Sequence, residues 1–114
     1  WLARDTMKAT MLEAFNALKP GGYFGVVEHR APEGSSMEFM TTSGYVSQSL
    51  AIEVAESVGF TLVEASEINA NSKDTKDHPK GVWTLPPSYR LKDENRSKYE
   101  SIGESDRMTL LFMK

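Results

Sequence analysis

The chain has 114 residues, a length that suits a single domain in which roughly two-thirds of the unfolded surface is buried. Lys and Arg number 13 against 16 Asp and Glu, with no basic run, so the net charge of −3 disfavours nucleic acid as a partner. The chain has no cysteine, which excludes disulfides and thiolate metal sites and is typical of cytoplasmic proteins. Its apolar stretches are far shorter than the roughly 20 residues that cross a bilayer, so no membrane partner is expected.

The first third of the chain predicts a helix followed by a strand. The chain opens on Trp1 and enters an amphipathic pattern almost at once, which indicates a truncated start. Apolar residues at helical spacing predict a helix over 5–18, and Pro20-Gly21-Gly22 ends it. Aromatic and β-branched residues then predict a buried strand over 23–28. Residues 31–44 are rich in Gly, Ser, Pro and Thr and predict a loop with one helical turn.

The remainder predicts a helix, two strands and a long loop between the strands. Ser47 is placed to cap a helix that ends before Gly59, and a strand over 60–65 follows. Residues 67–105 are polar and punctuated by Asn, Gly and Pro, as in a functional or poorly ordered loop. Alternating apolar residues predict a last strand over 107–113. A strand–helix–strand unit closes as a parallel crossover, and the last strand, which follows no helix, is expected to return antiparallel.

Several segments resemble class I S-adenosylmethionine-dependent methyltransferases. The turn Ala17-Leu18-Lys19-Pro20-Gly21-Gly22 before an apolar strand resembles the family's junction of helix D and strand 5. The junction Val58-Gly59-Phe60 resembles helix E entering strand 6, and residues 106–113 resemble the antiparallel strand 7. Residues 82–87 (Val-Trp-Thr-Leu-Pro-Pro) and 102–109 resemble a bacterial group of predicted methyltransferases.

This resemblance implies an α/β fold that is part of a Rossmann-like methyltransferase sheet. The implied sheet has three strands in the family's order 5-7-6, the last antiparallel between the other two, with both helices on one face. Residues 1–114 would be one domain, the C-terminal half of the fold, with 67–105 as a loop capping the carboxyl edge. The family's glycine-rich loop and strand-end acid would lie upstream, so no residue here is expected to bind S-adenosylmethionine. The intact protein would methylate an unknown acceptor, and this fragment alone is expected to be inactive.

The candidate site follows from the implied topology, because ligands of open α/β sheets lie beyond the carboxyl ends of the parallel strands. Glu28, His29 and Arg30 are predicted at that edge, and Trp83 and Arg107 are predicted to join them as substrate-binding residues. His29 is the candidate general base, since a reference pKa of about 6.5 suits proton transfer at neutral pH. Each assignment has an alternative. His29 could be a strand-end histidine that hydrogen-bonds a neighbouring loop, Arg30 and Arg107 could be solvated surface arginines, and Trp83 could pin the long loop onto the sheet.

A second polar cluster, Asp74, Asp77 and His78, matches no standard metal-ligand spacing. Because the segment is rich in lysine, it is predicted to be a solvated loop without a metal, mobile over 73–80.

The implied truncation also predicts a homodimer. The edge of strand 23–28 would lack a partner, and one apolar row of the last strand would be uncovered. That row is either Met108, Leu110 and Phe112 or Thr109, Leu111 and Met113. The alternative is a monomer in which the long loop covers the open face with Val82, Trp83, Leu85 and Tyr89. Two other functions stay open: a noncatalytic self-associating α/β module, and a fragment of another nucleotide-binding fold such as a dehydrogenase.

Overall fold

The computed structural model describes residues 4–114, so Trp1, on which the expectation of a truncated start depends, lies outside the described residues. The α-helices are α1 (Arg4–Ala17), α2 (Met37–Ser43), α3 (Gln48–Ser57) and α4 (Arg96–Ile102), and Gly81–Thr84 forms a 3₁₀ helix. The strands are β1 (Tyr23–Ala31), β2 (Val46–Ser47), β3 (Thr61–Ser66) and β4 (Arg107–Met113). None of these helices in the described part of the chain is long and apolar enough to span a membrane.

The four strands form one mixed sheet in the order β2-β1-β4-β3. β4 pairs antiparallel with both β1 and β3, so those two strands point in the same direction. β2 pairs parallel with the end of β1, where Arg30 and Ala31 lie opposite Val46 and Ser47. The predicted sheet was therefore wrong in strand number and order, because a two-residue strand is too short to show any periodicity.

Two element boundaries also differ from the sequence prediction. β1 continues to Ala31 instead of ending at residue 28, because its last residues pair with β2 and β4. The predicted loop over 31–44 contains the whole of α2. Ser36 caps this helix by accepting a hydrogen bond from the N–H of Phe39, and Gly44 ends it with a φ of 80° that favours glycine.

The main core lies between the sheet and the two helices α1 and α3. Met108, Leu110 and Phe112 of β4 are buried in it, whereas Thr109, Leu111 and Met113 point to the opposite face and are only partly covered. This strand alternation is the predicted one. The other buried members of the core are Met7, Met11, Val26, Val46, Ala51, Val54, Ala55 and Phe60.

The turn between α1 and β1 is closed by the last residue of the chain. Gly21 adopts a φ of 83°, and its N–H donates to the carbonyl of Lys114 at 3.0 Å. The ammonium of Lys114 donates to the carbonyls of Phe15 at 2.7 Å and Leu18 at 2.8 Å. These carbonyls belong to the last turn of the helix region and lack the partner that a longer helix would supply, so the ammonium satisfies them.

Candidate functional site

A cavity of about 210 Å³ lies beside the end of β1 and the start of β4. Three of the five predicted site residues, His29, Trp83 and Arg107, line it together. His29 and Arg107 face each other as paired positions of neighbouring strands. The remaining lining residues are Val82, Pro86, Pro87, Ser88 and Ser105.

His29 is held in this cavity by a serine that the sequence prediction did not include. Its Nδ1 shares a hydrogen bond of 2.5 Å with the hydroxyl of Ser105, which is itself buried. Nε2 makes no hydrogen bond within residues 4–114. Burial lowers the pKa of His29; Glu28 opposes that effect, and the positive charge of Arg107 adds to it. The imidazole is therefore mainly neutral at pH 7.

Trp83 both packs against the fold and lines the cavity. A side chain at Gly44 would lie 2.9 Å from the indole ring, so the tryptophan sits directly on the end of α2. It also borders a small buried cluster formed by Ala31, Met40, Tyr45 and Val82. The two roles weighed for this residue, pinning the loop and lining a pocket, thus coincide.

Glu28 and Arg30 are not brought into the cavity. One carboxylate oxygen of Glu28 accepts a hydrogen bond from the backbone N–H of His29. The guanidinium of Arg30 donates to both carboxylate oxygens of Asp106, at 2.9 and 3.0 Å, and to Glu67 at 2.7 Å. The hydrogen bond to Asp106 is the main reason that the pKa of Arg30 is raised. Arg30 therefore ties the ends of three strands together.

The predicted solvated loop around Asp74 is wrong. The side chain of Asp74 is fully buried, and that of His78 is 2% exposed. The carboxylate of Asp74 accepts hydrogen bonds from the hydroxyl of Tyr45 at 2.8 Å, from Nε2 of His78 at 2.8 Å and from two backbone N–H groups. Only Asp77 of the predicted cluster is exposed. Burial, followed by the hydrogen bond to Asp74, raises the pKa of Tyr45.

Lys76 belongs to the segment 73–80 that was predicted to be mobile, and it makes two contacts within the fold. Its backbone turns to a φ of 65° and donates to Asp74, and its ammonium lies 2.9 Å from a carboxylate oxygen of Asp106. Burial alone would raise the pKa of Asp106, but the hydrogen bonds from Arg30 and Lys76 outweigh it and hold the pKa well below its usual value. Nothing in the local sequence pattern predicts this network, since its members come from separate parts of the chain.

Residues 4–114 hold no group of three or more His, Asp or Glu side chains placed to bind a metal ion. Six glycines have a positive φ, at positions 21, 34, 44, 59, 81 and 103, and they lie in separate turns along the chain.

Comparisons with protein-family models, with curated proteins and with solved structures gave no match to this chain. The functional argument therefore depends on the fold and on the cavity.

Proposed function

We propose that this chain is the acceptor-side part of an S-adenosylmethionine-dependent methyltransferase with a Rossmann-like sheet. The observation that carries the proposal is the placement of β4, the last strand, antiparallel between two strands that share one direction. The family resemblance implies such a reversed last strand. It also implies an acceptor site at the carboxyl end of β1, where His29 lines a cavity.

The cavity supplies groups that suit an acceptor hydroxyl or amine. A neutral imidazole takes up the proton that such a group loses, and its Nε2 has no competing partner among the described residues. The hydroxyl of Ser105 fixes the ring through Nδ1, so it is a positioning residue. Arg107, which lies 3.5 Å from the exposed Glu104, adds hydrogen-bond donors at the wall.

The sheet disfavours the dehydrogenase alternative. Dinucleotide-binding folds of that class are built on mostly parallel strands. Here the central strand of the β1-β4-β3 group is reversed.

Calorimetry with S-adenosylmethionine tests the proposal. We expect no binding in the low micromolar range by residues 1–114 alone, and micromolar binding by the product of the complete reading frame that encodes them. In that product, His29→Gln should slow transfer of a radiolabelled methyl group to small hydroxyl and amine acceptors by about 10²-fold or more, whereas Glu100→Gln on α4 should leave it unchanged. If the complete product does not bind the cofactor, the methyltransferase proposal fails.

A second candidate function, self-association, is favoured by the uncovered face of the sheet. β2 pairs only with the last two residues of β1, Arg30 and Ala31. Over residues 23–29, the edge of β1 that faces away from β4 pairs with no strand within residues 4–114. Val27 and Val63 are 55% and 49% exposed, and strand residues alone line a groove of about 500 Å³ on the sheet. Of the four loop residues that the monomer alternative placed on this face, Val82 and Trp83 pack in the small cluster beside α2.

We propose that two copies of this chain pair through the β1 edge and this face. Light scattering across a micromolar dilution series should give a dimer mass that falls on dilution. Val27→Lys should shift the protein to a monomer, because it places a charge on the exposed face, while Ile68→Lys, which alters an 80% exposed residue beyond β3, should not. A mass that stays near 12.7 kDa at every concentration would refute the dimer.

A further inference from the structure

Trp83 borders a second and larger cavity, which the proposed function does not use. This cavity has a volume of about 440 Å³ and lies between α2 and the loop segment 78–90. We call it the α2 cavity. Its walls combine two aromatic rings, Phe39 and Trp83, with two long cationic side chains, Lys80 and Arg90.

The two cations of the α2 cavity are uncompensated. Lys80 and Arg90 are exposed, neither forms an ion pair within residues 4–114, and no Asp or Glu lines the cavity. Other cations of the same region are engaged, since Lys76 binds Asp106 and Arg107 lies 3.5 Å from Glu104. In a chain of net charge −3, two unpaired cations at one concave surface create a local attraction for anions.

The aromatic walls specify the remainder of the ligand. Phe39 and Trp83 are half-buried, so each presents part of its ring to the cavity while the rest packs on the small cluster beside α2. A flat apolar group can stack on such surfaces, and an arginine fork and a lysine ammonium can bind a carboxylate or phosphate beside it. Thr42 is also a lining residue, and its hydroxyl donates to the carbonyl of Glu38 within α2.

The α2 cavity has a rigid wall. A Cβ on Gly81 would collide with the backbone of Ser43, and one on Gly44 would lie 2.8 Å from Val82. α2 and the 3₁₀ helix are thus in close backbone contact. His78, another lining residue, is fixed by its hydrogen bond to the buried Asp74. This wall is fixed by packing and needs no ordering when a ligand binds, so only the side chains of Lys80 and Arg90 lose freedom on binding.

We propose that the α2 cavity binds a small aromatic anion, in which a carboxylate or phosphate is attached to a planar ring. Lys80 and Arg90 hold the anionic group, and Phe39 and Trp83 hold the ring. This site is separate from methyl transfer, because its binding needs neither His29 nor a cofactor.

Titration of the chain with benzoate, phenyl phosphate and neutral benzamide tests the proposal, with the indole N–H of Trp83 as the NMR reporter. We expect saturable binding of at least one of the two anions, and a dissociation constant for benzamide at least tenfold weaker. Tighter binding of benzoate would indicate a carboxylate ligand, and tighter binding of phenyl phosphate would indicate a phosphate ligand. Inorganic phosphate alone should bind more weakly than phenyl phosphate, because it lacks the ring.

Three variants assign the binding to named residues. Lys80→Ala and Arg90→Ala should each weaken binding about tenfold, the loss expected for one charged hydrogen bond. Both change only exposed side chains. Lys73→Ala removes the same charge from an exposed residue outside the cavity and should leave binding unchanged. Absence of binding by both anions, equal binding of benzamide, or equal effects of all three substitutions would overturn the proposal.

Discussion

Two regions of the molecule, which we call the apolar end and the polar end, are stabilised in different ways. The apolar end is the core between the sheet and the helices α1 and α3, where the buried side chains are almost all apolar, as in the row Met108, Leu110 and Phe112. The polar end lies beyond the carboxyl end of β1, where the buried groups include Asp74, Asp106 and Ser105, and each of them makes hydrogen bonds. Every buried side-chain nitrogen and oxygen in residues 4–114 has a partner.

This difference has consequences for how each end responds to change. Apolar burial is non-directional, so a core tolerates a side chain of similar volume. Hydrogen bonds are directional, and a buried donor that loses its acceptor costs about 1–3 kcal/mol. The polar end should therefore be the more sensitive of the two to conservative substitution, and it is also the end that carries both cavities.

The largest effect should come from a matched pair of conservative substitutions. Asp74→Asn replaces one acceptor oxygen by a donor and leaves about two buried donors unsatisfied, so we expect a loss of about 3 kcal/mol in the free energy of unfolding. Leu110→Met in the apolar core should cost less than about 1.5 kcal/mol. Urea denaturation measures both.

The control for this pair is Asp77→Asn, which alters an exposed carboxylate in the same loop and should be nearly neutral. If Asp74→Asn costs no more than Leu110→Met, the polar end does not depend on the buried carboxylate.

The same contrast explains what could be predicted from the sequence. α1, α3 and β4 were predicted within one or two residues, because each presents a regular apolar face. The prediction of an α/β fold with a reversed last strand followed from their order. β2 was missed because a strand of two residues shows no periodicity. The burial of Asp74 was missed because its partners Tyr45 and Asp106 are distant in sequence, and its partner His78 lies in an irregular segment.

The candidate site shows the same limit. His29, Trp83 and Arg107 could be placed together because strand ends of an α/β sheet meet at one edge. Ser105, which holds His29, could not, since it lies at the irregular junction before β4. Arg30 was predicted beside the substrate on the same grounds, but its charge is taken by Asp106 and Glu67, a pairing that depends on the fold of the long loop.

A smaller effect should appear in the pH dependence of the polar end. The pKa of Asp106 is lower in the folded chain than in the unfolded one, so its stabilising contribution is complete above pH of about 4 and is lost as the pH falls towards the folded pKa. We expect Asp106→Asn to cost about 2 kcal/mol at pH 7. The difference between the variant and the native chain should shrink steadily below pH of about 4.

Urea denaturation from pH 7 to pH 2 measures this dependence, and Glu56→Gln, at an exposed position of α3, serves as the control at the apolar end. A difference between Asp106→Asn and the native chain that stays constant over that range would show that the carboxylate contributes by shape instead of charge.

The smallest effect should come from a charged contact at the apolar end. The ammonium of Lys114 donates to two carbonyls at the end of α1 and lies 4.5 Å from the centre of the Phe15 ring. Lys114→Met keeps the aliphatic stem but removes these contacts, so we expect a loss of about 1 kcal/mol in the free energy of unfolding. Lys19→Met, at an exposed position in the same turn, is the matched control and should be nearly neutral.

Because the contact is partly open to water, raising the salt concentration should reduce the effect of Lys114→Met. The penalty of Asp74→Asn should not change with salt, because a buried hydrogen-bond network is screened far less than a surface charge. A salt-sensitive Asp74→Asn penalty would mean that water reaches the polar end in solution, and the division between the two ends would then be one of degree.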